Sequence, residues 1–239
     1  MTRPERIGAV IATLAVVAGF GALVLLIVAG PGARMGWWDF RVGFTLLRWA
    51  AYGAAAAFVF AAFALVLGGA RRRAALALVV SLGVFALPWT LQRQARGVPP
   101  IHDITTDTDD PPTFVAIVAR RAGASNPPGY AGPEVAAQQK RAYPDLAPIV
   151  LAEPPDRAFE RALAAARSLG WEVVAADARE GRIEATDTTR WFGFKDDVVV
   201  RVRPAPGGSR VDVRSKSRVG RSDVGANAAR IRRFRSALG

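Results

Sequence analysis

Three stretches in the first 92 residues contain no charged side chain, and their lengths restrict the fold more than any other feature of the chain. Ile7 to Gly30 is 24 residues, Trp49 to Ala70 is 22 and Ala74 to Gln92 is 19. A helix rises about 1.5 Å per residue and a bilayer core is roughly 30 Å thick, so about 20 apolar residues cross it. Each stretch is long enough, and the reading is three membrane spans over 7–30, 49–70 and 74–92. The first run exceeds the 7–15 apolar residues of a secretory signal core, and two more spans follow it. A retained first helix is therefore expected rather than a cleaved leader.

Charge in the short loops sets orientation. With the N-terminus inside, Arg3, Arg6 and Arg71–Arg73 lie inside, and Arg34, Arg41, Arg48, Arg93 and Arg96 lie outside. The numbers balance, so the compact Arg71-Arg72-Arg73 run decides, and Arg48 can snorkel from a helix end. The expectation is a multi-pass protein of a bacterial inner membrane with its C-terminal domain in the periplasm. No charged group lies within a span, which argues against an ion relay. Ala50, Ala51, Gly53 and Ala54–Ala57 crowd the second span, a composition that lets helix backbones approach closely. Trp37, Trp38, Trp49 and Trp89 sit near span ends, where indole prefers the interface.

The chain has one His and no Cys. Cysteine-ligated zinc, disulfide scaffolds, Cys nucleophiles and iron–sulfur clusters are thereby excluded. No phosphate-binding glycine loop occurs, so no cofactor is expected. The formal charge is +12. Residues 201–239 contribute eleven basic groups against Asp212 and Asp223. Tethered to a bilayer, such a tail points to a solvated or lipid-facing surface rather than to nucleic acid.

From Pro99 to Pro155 the chain holds eleven of its sixteen prolines. Proline lacks an amide donor and restrains its predecessor, so long regular elements are not expected over 98–155. Ile101, Ile104, Phe114, Val115, Ile117 and Val118 are too apolar for a free linker, and an ordered irregular segment wrapping the domain is expected. His102, Asp103 and Asp107 invite a metal reading. A polar turn bonding its own backbone explains them more simply, and no metal site is assigned.

Beyond Pro155 the periodicity is clear. Asp156 is positioned to cap a helix with Phe159, Leu163, Ala166 and Leu169 on one face, closed by Gly170. Alternation then marks strands over 171–175, 182–186, 194–203 and 210–216, separated by short turns. A last helix follows Gly220, capped by Ser222 or Asp223, with Val224, Ala228, Ile231 and Leu238 as its stripe. Short connections favour an antiparallel meander. The fold class is membrane α plus α+β: three transmembrane helices over 1–97, then a two-layer domain over 156–239, a four-stranded antiparallel sheet with two helices on one face. The other face carries Arg182, Glu184, Arg201, Arg203, Arg210, Asp212, Arg214 and Lys216, and is expected to be solvated or to dock a partner.

Four segments carry a resemblance: Ile101-His102-Asp103-Ile104-Thr105-Thr106-Asp107, Ala142 to Leu146, Phe194 to Arg201 and Asp212 to Ile231. Together they look like a bacterial and plastid domain family of unknown function, over roughly residues 99–236. The helical region is similar to that of its membrane-anchored bacterial members. The resemblance implies the domain and brings no catalytic residues.

The junction before the last helix is the strongest candidate site. A helix start offers free amides and partial positive charge to an anion. Lys216, Arg218, Arg221, Ser222, Asp223, Asn227 and Arg230 surround it, with Asp196, Asp197 and Trp191 as supporting residues. The competing reading is a capped helix with Asp223 on the amides. Asp196 and Asp197 are adjacent on a strand, so they point to opposite faces and cannot form a close acid–base pair. No catalytic residue is assigned. The expected function is a membrane protein presenting a binding or accessory domain in the cell envelope, with membrane lipid or another envelope protein as partner. The alternative is an enzyme or receptor for a phosphate, carboxylate or lipid headgroup at the last helix.

Overall fold

The computed structural model describes residues 2–239. It divides into a helical unit, running to Arg93 and including Arg190–Gly193, and an α+β unit holding the rest of the chain.

The helical unit consists of α1 (Arg3–Arg34), α2 (Phe40–Leu67) and α3 (Arg71–Arg96), each long and apolar enough to cross a membrane. Thr2 and Glu5 form a capping box at the start of α1, and Asp39 caps α2 through the Arg41 amide. Along the seam, the buried residues of α1 are Gly8, Ala12, Ala15, Gly19, Ala22, Leu26 and Ala29, with Gly30 and Gly32 buried beyond it at the C-terminal end. Those of α2 fall at Gly43, Leu47, Ala50, Ala54, Ala57, Ala61 and Ala64. Both sets alternate steps of four and three, the spacing of a supercoiled seam, here filled almost entirely by Ala and Gly. The helices run antiparallel: Ala12 meets Ala64, and Ala15 meets Ala61. A side chain at Gly43 would strike the Ala29 carbonyl, which explains the glycine. Ala74 and Ala77 of α3 join the same layers. Large apolar side chains point outward instead, including Val10, Leu14, Val17, Val59 and Leu82, a surface suited to hydrocarbon rather than water. Arg190–Gly193 packs within this unit, with Trp191 against Gly30 and the Phe192 ring 5.0 Å from that of Phe44.

The α+β unit is built on β3 (Glu172–Asp177), β4 (Arg182–Thr188), β5 (Lys195–Ala205) and β6 (Gly208–Ser217), an antiparallel meander as the short turns require. The sheet has six strands, not four. β1 (Asp103–Thr105) and β2 (Ile149–Leu151) both pair with β6, at opposite ends of its free edge. Each is three residues long, too short to show alternation in the sequence. Their pairing covers an edge that would otherwise expose a row of backbone groups.

One sheet face presents Ile183, Ala185, Val198, Val200, Val202, Val211 and Val213 to α5 (Pro155–Ser168) and α6 (Ala226–Leu238). Phe159, Leu163, Ile231 and Phe234 fill that layer, and Trp171 stacks on Phe234 with centroids 5.3 Å apart. α5 begins at Pro155, one residue before the expected cap. α6 begins at Ala226, and Val224 lies outside it with φ +54°. The proline-rich segment supplies a third α-helix, α4 (Pro133–Ala142), and a 3-10 turn, Ala116–Arg121. That turn covers the second sheet face, where Phe114 and Ile117 pack on Val199. The second face is therefore partly covered, rather than the sheet being packed only under two helices.

Replacing Ala57 by Leu forces a large side chain into the seam opposite Gly19, and overpacking of this kind costs about 1–3 kcal/mol. The unfolding midpoint of the detergent-purified protein should fall by several degrees. Val59→Leu, on the outward face, should leave it unchanged.

Candidate functional site

Alternation along β5 and β6 sends consecutive side chains to opposite faces, and this divides the charged residues of the α6 junction into two groups. Arg230 and Asn227 lie on the helix side. The Arg230 guanidinium donates to Asp196 at 2.6 Å, to Asp187 at 2.7 Å and to the Asn227 side chain at 2.6 Å. Asn227 in turn donates to the His102 carbonyl and accepts from Ser215 at 2.6 Å. Arg230 is 2% exposed, so this cation is held inside the core by two carboxylates.

Asp197, Lys216 and Arg218 lie on the opposite face. Asp197 accepts from Arg121 at 2.5 Å, from Arg218 at 2.8 and 2.9 Å, and from Thr186 at 2.7 Å. Asp103 of β1 binds Arg214 through two parallel bonds of 2.8 and 2.9 Å and takes a third from Lys216 at 3.0 Å. Arg214 and Lys216 are each 1% exposed and Asp103 is fully buried. Further bonds run to the carbonyls of Pro112, Pro128 and Gly129, and Arg214 is stacked over Phe114 at 5.0 Å. Burial depresses the Lys216 ammonium pKa, with Asp103 opposing the shift. It pushes the neighbouring Tyr130 phenol up to about 12. Glu184 accepts from Arg182 and from the amides of Val115, Ala116 and Ile117, which pins the 3-10 turn to the sheet.

At the start of α6, Asp223 accepts from the Gly225 amide at 2.8 Å and the Asn227 amide at 3.1 Å. Ser222 accepts from the Val224 amide, and Arg221 is exposed. An incoming anion would have to displace the Asp223 carboxylate from those amides. Burial raises the Asp223 pKa, against the lowering effect of its amide bonds. Trp191 lies in the helical unit. Asp196 and Asp197 face opposite sides, as their adjacency requires.

The part of the charged face that remains open is a cleft of about 650 Å³ between α4 and the 106–110 turn. Its walls include Asp107, Asp109, Lys140, Tyr143, Arg203 and Arg210. Beneath it Arg201, Arg203 and Arg210 converge on Asp212, while Asp107 takes a 2.5 Å bond from Arg210 and Asp110 one of 2.8 Å from Arg203. Arg203 and Arg201 hold the exposed Asp110 below the usual carboxylate range. Sequence reasoning missed Arg121 and Lys140, and it did not pair Glu184 of the charged face or Asp107 of the polar turn with their partners. The available signal was complementarity between alternating strand charges and charges scattered through the proline-rich segment.

Asp103→Asn leaves Arg214 and Lys216 sharing no carboxylate, and breaking a buried pair in this way costs about 3–5 kcal/mol. Chemical unfolding should register this as a lower midpoint. The raised Asp223 pKa means that the fold favours the protonated acid. Its contribution is fully present below pH 3.8 and is lost as pH rises through the higher folded-state value. Asp223→Asn keeps an acceptor for the amides but cannot titrate. The stability difference, wild type minus variant, should therefore fall as pH rises from below 3.8 towards neutrality.

No protein of curated function matches the chain. Residues 103–238 match the family described as Protein of unknown function (DUF1499), beginning at the buried Asp103 and ending with α6. The match takes in more than half of the sequence, and the chain belongs to this family.

Proposed function

We propose that this chain is an integral membrane protein of the bacterial cell envelope that displays its α+β unit at the membrane surface as a binding or accessory module. The observation that carries the reading is the pairing of three membrane-length helices with a domain whose buried acids are engaged in structural bonds. Asp103, Asp196, Asp197, Asp212 and Glu184 each accept at least one arginine, and Arg214 and Arg230 are spent in holding the sheet and α6 together. Proton transfer or nucleophilic attack by these carboxylates would first break the fold.

Docking falls to the groups at the rim of the 650 Å³ cleft. Lys140 and Asp109 are exposed there, and their ion pair at 3.2 Å is worth little in water. Arg203 and Arg210 contribute partly open guanidiniums beside them. A polar partner segment bearing both signs of charge fits this rim. A photo-crosslinking residue at position 140 should give one discrete adduct in intact cells, and the same residue at position 233, on the outer side of α6, should not. Equal adducts from both positions would remove the cleft from consideration.

The Arg71–Arg73 turn favours the cytoplasm for that end of the helices, which supports a reading with the C-terminal unit outside. Alkaline phosphatase fused after Gly239 should then be active, and a fluorescent protein that matures only in the cytoplasm should be dark. The opposite pair of results reverses the topology and leaves only the membrane assignment standing.

A further inference from the structure

We propose that the helical unit binds one anionic phospholipid at the end of the bundle where α1 begins and α2 turns into α3. The proposal rests on the membrane reading above and assigns a lipid class to one site within it. Gly68, Gly69 and Ala70 form the turn, and Arg71, Arg72 and Arg73 follow at once as the exposed first turn of α3. Arg3 and Arg6 stand in the first turns of α1 beside them. The acid among these residues is Glu5, whose carboxylate takes the Thr2 amide at 2.7 Å in the capping box. Among the described residues, no carboxylate is paired with Arg71, Arg72 or Arg73. Five cations against one acid give this end a strong preference for negative charge.

The shape is as informative as the charge. A hollow of about 700 Å³ lies over the turn, walled by Glu5, Gly68, Gly69 and Arg71–Arg73. A groove of about 270 Å³ runs on from it along Val10, Thr13 and Leu14. Ala9 and Arg73 line both, so the two spaces meet. Arg73 folds back towards the groove and donates to the Thr13 hydroxyl at 3.1 Å. Thr13 lies about 15 Å further along α1 than Arg3, at 1.5 Å per residue. The site is thus charged at its mouth and apolar along its floor. A phosphodiester with an acyl chain satisfies both parts. Inorganic phosphate would fill the mouth and leave Val10 and Leu14, 61% and 60% exposed, uncovered. The free amides at the start of α3 supplement the guanidiniums for the same phosphate.

The test uses full-length protein in a mild detergent with three probes: phosphatidylglycerol, phosphatidylcholine of the same chain length, and inorganic phosphate. Native mass spectrometry should retain one phosphatidylglycerol per chain, at least about tenfold in preference to phosphatidylcholine. The unfolding midpoint should rise with phosphatidylglycerol only. An arginine near an anionic headgroup contributes about fivefold in affinity. The R71Q/R72Q/R73Q variant should therefore lose most of the preference. Leu14→Trp, which fills the groove and leaves the charge intact, should also reduce retention. Equal retention of the two lipids by the wild type overturns the proposal, as does an unchanged preference in the triple variant. A midpoint shift reproduced by phosphate alone overturns it too, in favour of a simple anion site. Resistance to alkaline carbonate extraction is read separately on wild-type membranes. A protein that resists extraction but shows no lipid preference loses this site and keeps the membrane assignment.

Discussion

One carboxylate, Asp103, is shared by two cations that water cannot reach, and the second face of the sheet depends on it. Arg214 and Lys216 project from β6 into a layer where each is 1% exposed. An unpaired charge at such depth is costly enough that the fold must bring an acid to it. That acid arrives on β1, which pairs in register with β6 so that Asp103 stands opposite Lys216. The carbonyls of Pro112, Pro128 and Gly129 complete the shell. The proline-rich segment therefore cannot float free: its backbone is the solvent that these cations have in place of water.

The same logic repeats across the sheet. Arg121 returns from the 3-10 turn to Asp197, and Glu184 reaches out to the turn's own amides. On the helix side Arg230 ties α6 to Asp196 of β5 and Asp187 of β4. The α6 junction, which carries the longest stretch of family resemblance, is thus divided between two internal networks lying on opposite faces. In the helical unit the constraint differs, because its outward surface is apolar and its helices are long enough to cross a membrane. There α1 and α2 meet through Ala and Gly, and close backbone approach takes the place of apolar burial.

Much of this was legible in the residues. The three charge-free runs marked the helices, and strand alternation with short turns marked the meander from β3 to β6. The opposed placement of Asp196 and Asp197 followed from adjacency alone. What failed to show were the features decided by distant pairing. β1 and β2 are three residues each and carry no periodic signal. They become strands because β6 has an open edge. The charges on β4, β5 and β6 looked like a solvated face, since a sequence does not display which other segment carries the matching acids. The start of α6 was also displaced, from the region of Val224 to Ala226, because Asp223 binds the Gly225 and Asn227 amides across a left-handed turn.

The central claim is that residues 103–131 form a structural layer of the domain rather than a tether, and backbone hydrogen exchange tests it most directly. The amides of Thr106, Val115, Ala116 and Ile117 are bonded to the Val213 carbonyl or to Glu184. They should exchange on the slow timescale of β5 and β6, because they open only when the sheet does. Exchange within seconds at these amides, with β5 and β6 still protected, would show a loose cover over a sheet that stands without it, and would contradict the account.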